Sequence, residues 1–386
     1  MATASNNAIT IKEAKSRCDL KRFVKFGIDL YKGNPYYCPP IIIDEVNTFR
    51  PESNPALEVC DYVIYMAYRD NKIVGRIVGI INHRANEAWG VQKCRFGWFE
   101  CIDDYEVFKS LLDAVAEWGK SRGMTRLNGP VGFTDFDHQG LLLEGFDHNA
   151  PMASLYTHPY YIAHYERYGL TKEADWIEYQ ITPPTEAPER MKRLVQIVAT
   201  RNKIHTVKVK SARELKRRYG YSYFDVLDAA YQKIYNYQPM TPRQKQYYCN
   251  MYFPLLNFDF VTMVANENDE IIAVGLGMPS LSEALRKCQG RLFPFGWFHL
   301  LKALKAKRMT DFDLLLIGVR PDYQDKGVTA LIFNEMTPYF AQYGIKRVET
   351  TAILETNHKS LSCFEEFDHI QHKRRRAFTK ELQCVL

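Results

Sequence analysis

The chain passes from a buried strand through a short turn into a helix within residues 314–336, and this passage constrains the fold strongly. The apolar run Leu314–Ile317 indicates the strand, and Leu331–Met336 indicates the first turns of the helix. In the turn, Gly327 lets the backbone approach a ligand because it has no Cβ. Free backbone N–H groups and the positive end of the helix dipole meet at such a turn, which predicts a seat for a phosphate or diphosphate. Taken alone, the turn could equally be a plain connection between two elements.

Length and composition indicate two folded domains. The 386 residues exceed one ordinary domain, and the 46% hydrophobic and 13% aromatic content is ample for packed cores. Nine scattered cysteines without a Cys-x-x-Cys pair, and ten histidines without metal-ligand spacing, predict no disulfide framework and no metal. The polar N-terminus and the lack of an apolar run of ~18 residues predict a cytoplasmic protein with no membrane span.

The net charge of +6 is mild, so it favours an anionic ligand and predicts no nucleic-acid partner. Basic residues cluster at 216–218, 302–308 and 373–376, and each cluster is expected to be a solvated face. The run His372–Arg376 in particular is expected to be a strand with its charged side in water.

A similar order of elements occurs twice along the chain, which predicts a mixed α+β fold. In the first half, Val63–Tyr68 and Ile73–Ile80 form a hairpin, Cys94–Cys101 a strand and Tyr105–Lys120 a helix. In the second half, the corresponding segments are a helix at 190–201, a hairpin at 258–276, a helix shortened or kinked by Pro338, and strands at 347–354 and 375–382. The proline-rich segment 183–189 is the predicted linker between domains 1–182 and 190–386.

Gln324, Gly327 and Thr329 have the spacing Gln-x-x-Gly-x-small. This spacing resembles the acyl-CoA diphosphate loop of the GNAT superfamily, the acyl-CoA N-acyltransferases, where Gly or Ala is usual in place of Thr329. The resemblance implies two GNAT-like domains in tandem, each a mixed, mostly antiparallel sheet flanked by helices, with acetyl-CoA or another acyl-CoA as co-substrate. The cofactor contacts that it implies are Gly318, Val319, Gln324, Asp325, Lys326, Gly327, Val328, Thr329, Asn357 and Ser360.

The resemblance also indicates proton-transfer groups. In GNAT domains a Tyr seven residues after the Asn that opens the last helix commonly protonates the leaving thiolate. Counted from Asn357, that position is Phe364, which has no proton to give. Three options stay open: the thiolate leaves unaided, Cys363 or another group assists, or the site does no chemistry. Glu349 and Glu355 are the candidate bases, although each could be an ordinary strand-end carboxylate.

The first half shows the reverse pattern. Tyr165 stands where the acid belongs and is a candidate catalytic residue, but no Gln-x-x-Gly turn precedes Tyr105. The negative charges of Asp103 and Asp104 stand where a diphosphate would sit, so this domain is expected to be degenerate for CoA. The segments 128–133, 140–147 and 158–161 together resemble a group of bacterial tandem-GNAT proteins.

These features predict a CoA-dependent N-acyltransferase that moves an acyl group, expected to be acetyl, to an amine of a small molecule or peptide. The mechanism implied is direct transfer, with a strand bulge near Gly318–Val319 orienting the pantetheine and a backbone N–H near Val319 polarising the thioester. The expected state is a monomer or homodimer. One alternative is a non-catalytic acyl-CoA-binding or scaffold protein, and another is a transferase that uses aminoacyl-tRNA.

Overall fold

The computed structural model describes residues 8–382 and has the mixed α+β architecture expected from the sequence. As far as residue 182 the elements are β1 (Thr10–Glu13), α1 (Arg17–Leu30), α2 (Ile42–Thr48), β2 (Cys60–Arg69), β3 (Lys72–Asn82), α3 (His83–Trp89), β4 (Lys93–Cys101), α4 (Tyr105–Lys120), β5 (Arg126–Gly129), β6 (Leu141–Glu144), α5 (Tyr161–Arg167) and β7 (Thr171–Thr182).

The remaining elements follow a segment without regular structure at 183–188. They are α6 (Glu189–Asn202), β8 (His205–Val207), α7 (Ala212–Tyr219), α8 (Ser222–Tyr231), α9 (Pro242–Tyr252), β9 (Val261–Ala265), β10 (Ile271–Pro279), α10 (Ser282–Cys288), α11 (Gly296–Leu304), β11 (Asp311–Val319), α12 (Thr329–Tyr343), β12 (Arg347–Thr350), β13 (Ile353–Leu354), α13 (His358–Ser362) and β14 (Asp368–Glu381). Within this described range, no helix is long and apolar enough to cross a membrane.

The chain forms two compact units that are discontinuous in sequence, whereas the sequence predicted contiguous halves. The first unit runs up to Trp176 and adds Leu285–Gly296 and the residues from Lys373 onward; the second comprises Ile177–Ala284 and Trp297–His372. The division falls inside β7 and β14. It differs from the predicted boundary because residues 374–381 of β14 pair with β5 and β6, which belong to the first unit.

In the first unit, strands β1 to β4 pair antiparallel in chain order, and β5 joins β4 in parallel. The hairpin of β2 and β3 turns at Asp70 and Asn71, both with positive φ, as a two-residue turn requires. Helix α4 has the predicted bounds and buries one face completely. The residues of that face are Val107, Phe108, Leu111, Leu112 and Val115.

In the second unit, β8 to β11 pair antiparallel, β12 joins β11 in parallel, and β7 pairs antiparallel with β12. Helices α12 and α8 cover opposite faces of this sheet. A Cβ on Gly275 of β10 would meet Ile332 of α12, whereas a Cβ on Gly318 would meet Leu227 of α8. Because Gly275 pairs with Ile317, the residue next to Gly318, alternation along β11 turns these positions to opposite sides.

Two local predictions need correction. Helix α12 continues for five residues beyond Pro338, so the proline does not shorten it, because Met336 and Phe340 on either side are buried in the core. The last strand begins at Asp368, seven residues before the predicted start at Arg375.

Phe312 lies at the centre of the second unit's core, so its truncation should be costly. Its side chain is 0% exposed, and its ring lies 4.5 Å from that of Phe260 and 5.4 Å from that of Phe340. We expect Phe312→Ala to lower the free energy of unfolding by about 3–5 kcal/mol, measured by urea denaturation. Phe298→Ala, at a side chain that is 56% exposed, is the matched control and should change stability little. Equal losses in the two variants would contradict this packing.

Candidate active site

The sheet of the second unit opens between β11 and β12. The two strands pair from Asp311–Arg347 to Leu314–Thr350, after which β12 ends while β11 continues to Val319. Residues 315–317 are only half-buried, although the residues on both sides of them in β11 are buried. The strand therefore borders a slot beyond Leu314.

A β-bulge lies at the closed end of this slot. Leu316 pairs with Leu276 and Leu314 pairs with Gly277, so Leu315 is the extra residue of β11. The bulge was expected near Gly318–Val319, and that expectation is wrong because Gly318 pairs in register with Val274. Gly318 is required instead for packing, since a Cβ there would lie 2.8 Å from the Leu227 side chain.

Two carbonyl groups on the slot side of β11 already have partners. The Arg320 N–H donates to the Ile272 carbonyl, so the peptide groups of Arg320 face β10. Because successive residues of a strand point their peptide groups to alternate sides, those of Ile317 and Val319 face away from β10. The Tyr231 hydroxyl donates to the Ile317 carbonyl at 2.9 Å, and the Gln324 amide donates to the Val319 carbonyl at 3.1 Å. Gln324 thus closes the turn onto the strand.

The turn after β11 presents a run of unused amides. A 3₁₀ turn at Pro321–Tyr323 leads to Asp325 and Gly327, with φ values of +61° and +73°, and α12 starts at Thr329. Among the described residues, the amides of 325–329 donate to no other protein group. Alternating backbone handedness of this kind makes consecutive N–H groups converge, and the helix dipole adds positive potential there.

Side chains around this turn leave its amides accessible. The Thr329 hydroxyl lies 3.7 Å from Cys363 Sγ, so its β-branch is turned toward α13. Asp325 pairs with Lys359 at 2.5 Å, and both side chains are more than half exposed. A side chain at Gly327 would be strained by the positive φ and would meet Val198 of α6 at 3.1 Å. Glycine is therefore needed here for the backbone path as well.

A buried histidine–carboxylate cluster lies on three strands of the second unit. His372 of β14 places Nε2 2.6 Å from Glu349 Oε1 of β12, and places Nδ1 3.1 Å from the Glu178 carbonyl of β7. The side chain of His372 is 1% exposed and that of Glu349 is 15% exposed. Glu349 therefore lies between the histidine and solvent.

The hydrogen bonds indicate how many protons this pair holds and which atoms carry them. The Glu178 carbonyl can only accept, so Nδ1 of His372 carries a proton and donates it. The short contact from Nε2 to Glu349 then requires one more proton between the two groups. The pair is either imidazolium with carboxylate or imidazole with carboxylic acid, and Glu349 is its more exposed member.

The cluster also meets the geometric requirement for a cation site. One ligand atom each from Glu178, Glu349 and His372 lies within 4.8 Å of the others. The direct hydrogen bond between His372 and Glu349 would have to break before a metal could bind both, so proton transfer is the chemistry that this arrangement supports directly.

The dyad lies close to the bulge. Glu349 is opposite Asp313 in the parallel register, two residues before Leu315. Phe312 and Val348 belong to the core beneath α12, so Asp313 and Glu349 face the opposite side of the sheet, which α8 covers. The proton-transfer group thus lies near the closed end of the slot, and the amides lie at its open end.

The structure gives other predicted residues structural roles. Tyr165 is 1% exposed among Phe96, Phe99, Phe108 and Phe378, and burial raises the pKa of its hydroxyl far above the ordinary value. We therefore assign it no role in proton transfer.

Around α13, Phe364 packs against Phe333 and Tyr179 and is a buried core residue. Asn357 caps α13 by accepting a hydrogen bond from Ser360 N–H. Burial raises the pKa of the Cys363 thiol, which argues against an activated nucleophile. Glu355 lies half-buried in the turn after β13, outside the His372–Glu349 pair.

The start of α4 in the first unit does not offer a comparable run of free amides. The Asp104 carboxylate accepts from the amides of Glu106 and Val107 at the start of α4, and it also pairs with Arg69 at 2.8 Å. An anion at this helix start would have to displace a carboxylate, as expected for a domain that is degenerate for CoA.

Sequence reasoning missed His372 and Glu178. His372 was assigned to a solvated strand face, but His372, Lys373 and Arg375 are all buried, which corrects that expectation. Glu178 lies on β7, a strand that was not predicted.

Comparison with solved structures identifies the class of fold. A tandem GNAT protein from the clavulanic acid biosynthesis pathway superposes with a TM-score of 0.58 at 10% identity, covering 98% of this chain and all of that one. The chain therefore has a tandem GNAT fold, as its motifs implied.

Two curated proteins match along nearly their whole length. Protein YghO of Escherichia coli K12 is 29% identical over 373 residues, which cover 94% of this chain and 93% of that protein. A bacterial ceramide synthase of Caulobacter vibrioides is 24% identical over 394 residues, which cover 98% of this chain and 99% of that protein. No family model matches the chain.

The His372–Glu349 hydrogen bond should be visible in stability measurements. Glu349→Leu removes the carboxylate that faces His372, so we expect the free energy of unfolding to fall by about 1–3 kcal/mol. Glu349→Gln is the control: its amide can donate to Nε2 of a neutral imidazole, and the loss should be smaller. Chemical denaturation at neutral pH measures both, and equal stability of the Leu variant and the parent protein would contradict the pair.

Proposed function

We propose that the second unit transfers an acyl group from an acyl-CoA to an amine. The observation that carries this proposal is the run of five free amides at residues 325–329, placed where a strand bordering an open slot leads into a 15-residue helix. The fold supports it, because a tandem GNAT protein has the same fold along the whole chain.

The amides of the turn would hold the diphosphate. Asp325, Lys326, Gly327, Val328 and Thr329 offer their N–H groups at the positive end of α12. Lys326, whose ammonium lies 4.7 Å from the Tyr323 ring, adds a mobile positive charge. Asp325 is kept partly neutralised by Lys359.

The slot beside β11 would hold the pantetheine arm. From Val319 back to Leu315 the strand spans about 13 Å at ~3.3 Å per residue, enough for an extended arm to reach the bulge. The peptide N–H groups of Ile317 and Val319 face this side of the strand and would bind the arm. The thioester would then lie near the bulge rather than at Val319.

Glu349 is the proposed base. An acyl-CoA supplies an activated thioester, whose carbonyl carbon the amine nitrogen attacks. Glu349 accepts the proton that the amine loses, and His372 stabilises Glu349 by sharing its existing proton. The C–N bond forms and the C–S bond breaks, so that the sulfur leaves as a thiolate. The thiolate takes a proton from solvent, and Glu349 returns the amine's proton to solvent.

No tyrosine is required for thiolate departure. Phe364 occupies the position that a GNAT tyrosine would take, and it is 3% exposed in the core. A free thiol has a pKa of about 8.5, so a thiolate is a competent leaving group near neutral pH. We therefore propose departure without a dedicated acid.

The similarity to the bacterial ceramide synthase suggests the acceptor class. A ceramide is the amide of a fatty acid with a long-chain amino alcohol. We propose a long-chain amine acceptor and a fatty acyl donor, in place of the acetyl donor expected from the sequence. The half-buried side chains of Leu315, Leu316 and Ile317 give the slot apolar walls that suit such chains.

The proposal is tested by thiol release from acetyl-CoA and palmitoyl-CoA, each with sphinganine and with a panel of small amines. Release that depends on both an acyl-CoA and an amine supports it. CoA binding without release for any pair would favour the non-catalytic scaffold instead, and no CoA binding would reject both.

Replacement of Glu349 should affect turnover and leave CoA binding unchanged. We expect Glu349→Gln to lower kcat by about 10²–10⁴-fold while CoA affinity stays unchanged, because the amide cannot accept the amine proton. Steady-state kinetics and calorimetric titration with CoA measure the two quantities. Normal turnover in this variant would remove Glu349 from the mechanism.

A negative charge at the start of α12 should block the diphosphate without harming the helix. We expect Thr329→Asp to weaken CoA binding by at least tenfold, because its carboxylate both repels the diphosphate and caps the amides, while the helix dipole favours an acid there. Thr329→Asn is the neutral control of similar size and should retain more affinity. Equal CoA affinity of the two variants, measured by calorimetry, would contradict the assigned site.

A further inference from the structure

Helix α11 exposes a large apolar surface. Trp297, Phe298 and Leu301 are 44%, 56% and 41% exposed, whereas Leu300 is buried. At about 100° per residue, these three side chains fall within roughly 100° of the helix circumference, and the direction of Leu300 lies about 110° from the centre of that arc. The helix thus lies with one face on the protein and an aromatic face toward solvent.

The chain just before this helix is also apolar and exposed. Phe293 and Phe295 are 78% and 74% exposed, the highest values among the large hydrophobic side chains that the structure describes as exposed. Half of those ten side chains fall between residues 293 and 301. Concentration of this kind indicates an interaction surface, since single exposed hydrophobic residues are normally scattered.

Positive charge accompanies the apolar residues. Between Glu283 and Asp311 the chain has no acidic residue. Lys302, Lys305, Lys307 and Arg308 are all exposed at the end of α11 and just after it. Aromatic and leucine side chains beside a row of cations are the pattern of a helix that lies in the interface of an anionic bilayer.

We propose that the segment 293–308 docks the protein on the surface of an anionic lipid bilayer. Trp297, Phe298 and Leu301 would enter the boundary between headgroups and acyl chains, and the lysines would contact lipid phosphates. The helix has nine residues, so it lies on the membrane and does not span it. This surface is distinct from the acyl-transfer site and does not depend on the proposed reaction.

A second copy of the chain fits this surface less well. A two-fold interface would place the same patch on both partners, so both sides of it would carry the four cations Lys302, Lys305, Lys307 and Arg308. Like charges face to face oppose such an interface, whereas lipid phosphates complement it.

Vesicle co-sedimentation tests the proposal with the full-length protein. Vesicles made of equal parts phosphatidylglycerol and phosphatidylcholine should bind the protein on the order of a hundredfold more tightly than pure phosphatidylcholine vesicles, and added salt should weaken the binding. Absence of binding to the anionic vesicles would overturn the proposal.

Two sets of substitutions identify the surface. The triple change Trp297→Ser, Phe298→Ser, Leu301→Ser should reduce vesicle binding by at least tenfold, and Lys302→Glu with Lys305→Glu should abolish the preference for anionic lipid. Ile43→Ser with Ile370→Ser, at side chains that are 48% and 53% exposed, is the matched control and should bind like the parent protein. Circular dichroism verifies that each variant is folded.

The same triple variant distinguishes a membrane surface from a contact between two copies of the chain. If the triple variant binds vesicles normally but changes from dimer to monomer in light scattering, the patch is a contact between copies and the membrane proposal is wrong. The measurement does not involve acyl transfer, so its failure would leave the proposed reaction unaffected.

Discussion

The early end of the β11–β12 pairing is the constraint on which the candidate site depends. Parallel strands normally run side by side for their shared length, but here the pairing stops at Leu314–Thr350. The Leu315 carbonyl still accepts a hydrogen bond from the Thr351 hydroxyl at 2.9 Å, and the slot borders β11 beyond that residue. The bulge at Leu315 marks the closed end of the slot, and the turn at 325–329 marks its open end. The proposed base and the proposed anion site thereby lie at opposite ends of one short strand segment.

The two units differ in whether a carboxylate occupies the amides at the start of a helix, which is α4 in the first unit and α12 in the second. The first unit retains a register shift in β4, where Trp98 has a φ of +46°, so it keeps a counterpart of the bulge. At its helix start, however, the Asp104 carboxylate accepts hydrogen bonds from amides that a diphosphate would need. The second unit has no such acid at Thr329. The amides at the two helix starts therefore differ in their availability to an anion because of one capping carboxylate, although the strand orders of the two units are alike.

The sequence predicted those parts of the structure that local interactions determine. Helix α4, the first hairpin and the turn around Gly327 each follow from periodicity, turn residues or capping within a few neighbouring positions. The His372–Glu349 pair could not be predicted in this way, because it needs β7, β12 and β14 side by side. His372 stands in a basic run that is typical of a solvated strand, and only the tertiary packing buries it. The bulge was likewise misplaced, since Gly318 has a packing role that depends on Leu227 of a distant helix.

Strand β14 determines when, during synthesis, the first unit can complete its sheet. Residues 374–381 pair with β5 and β6, so the first unit acquires its last strand only when the ribosome has delivered the end of the chain. Until then, β5 lacks its β14 partner, and an unpaired strand edge is a site at which another strand can pair. For the same reason, cutting the gene at codons 183–189 would not yield two self-sufficient halves. Each fragment would lack backbone partners that only the other can supply.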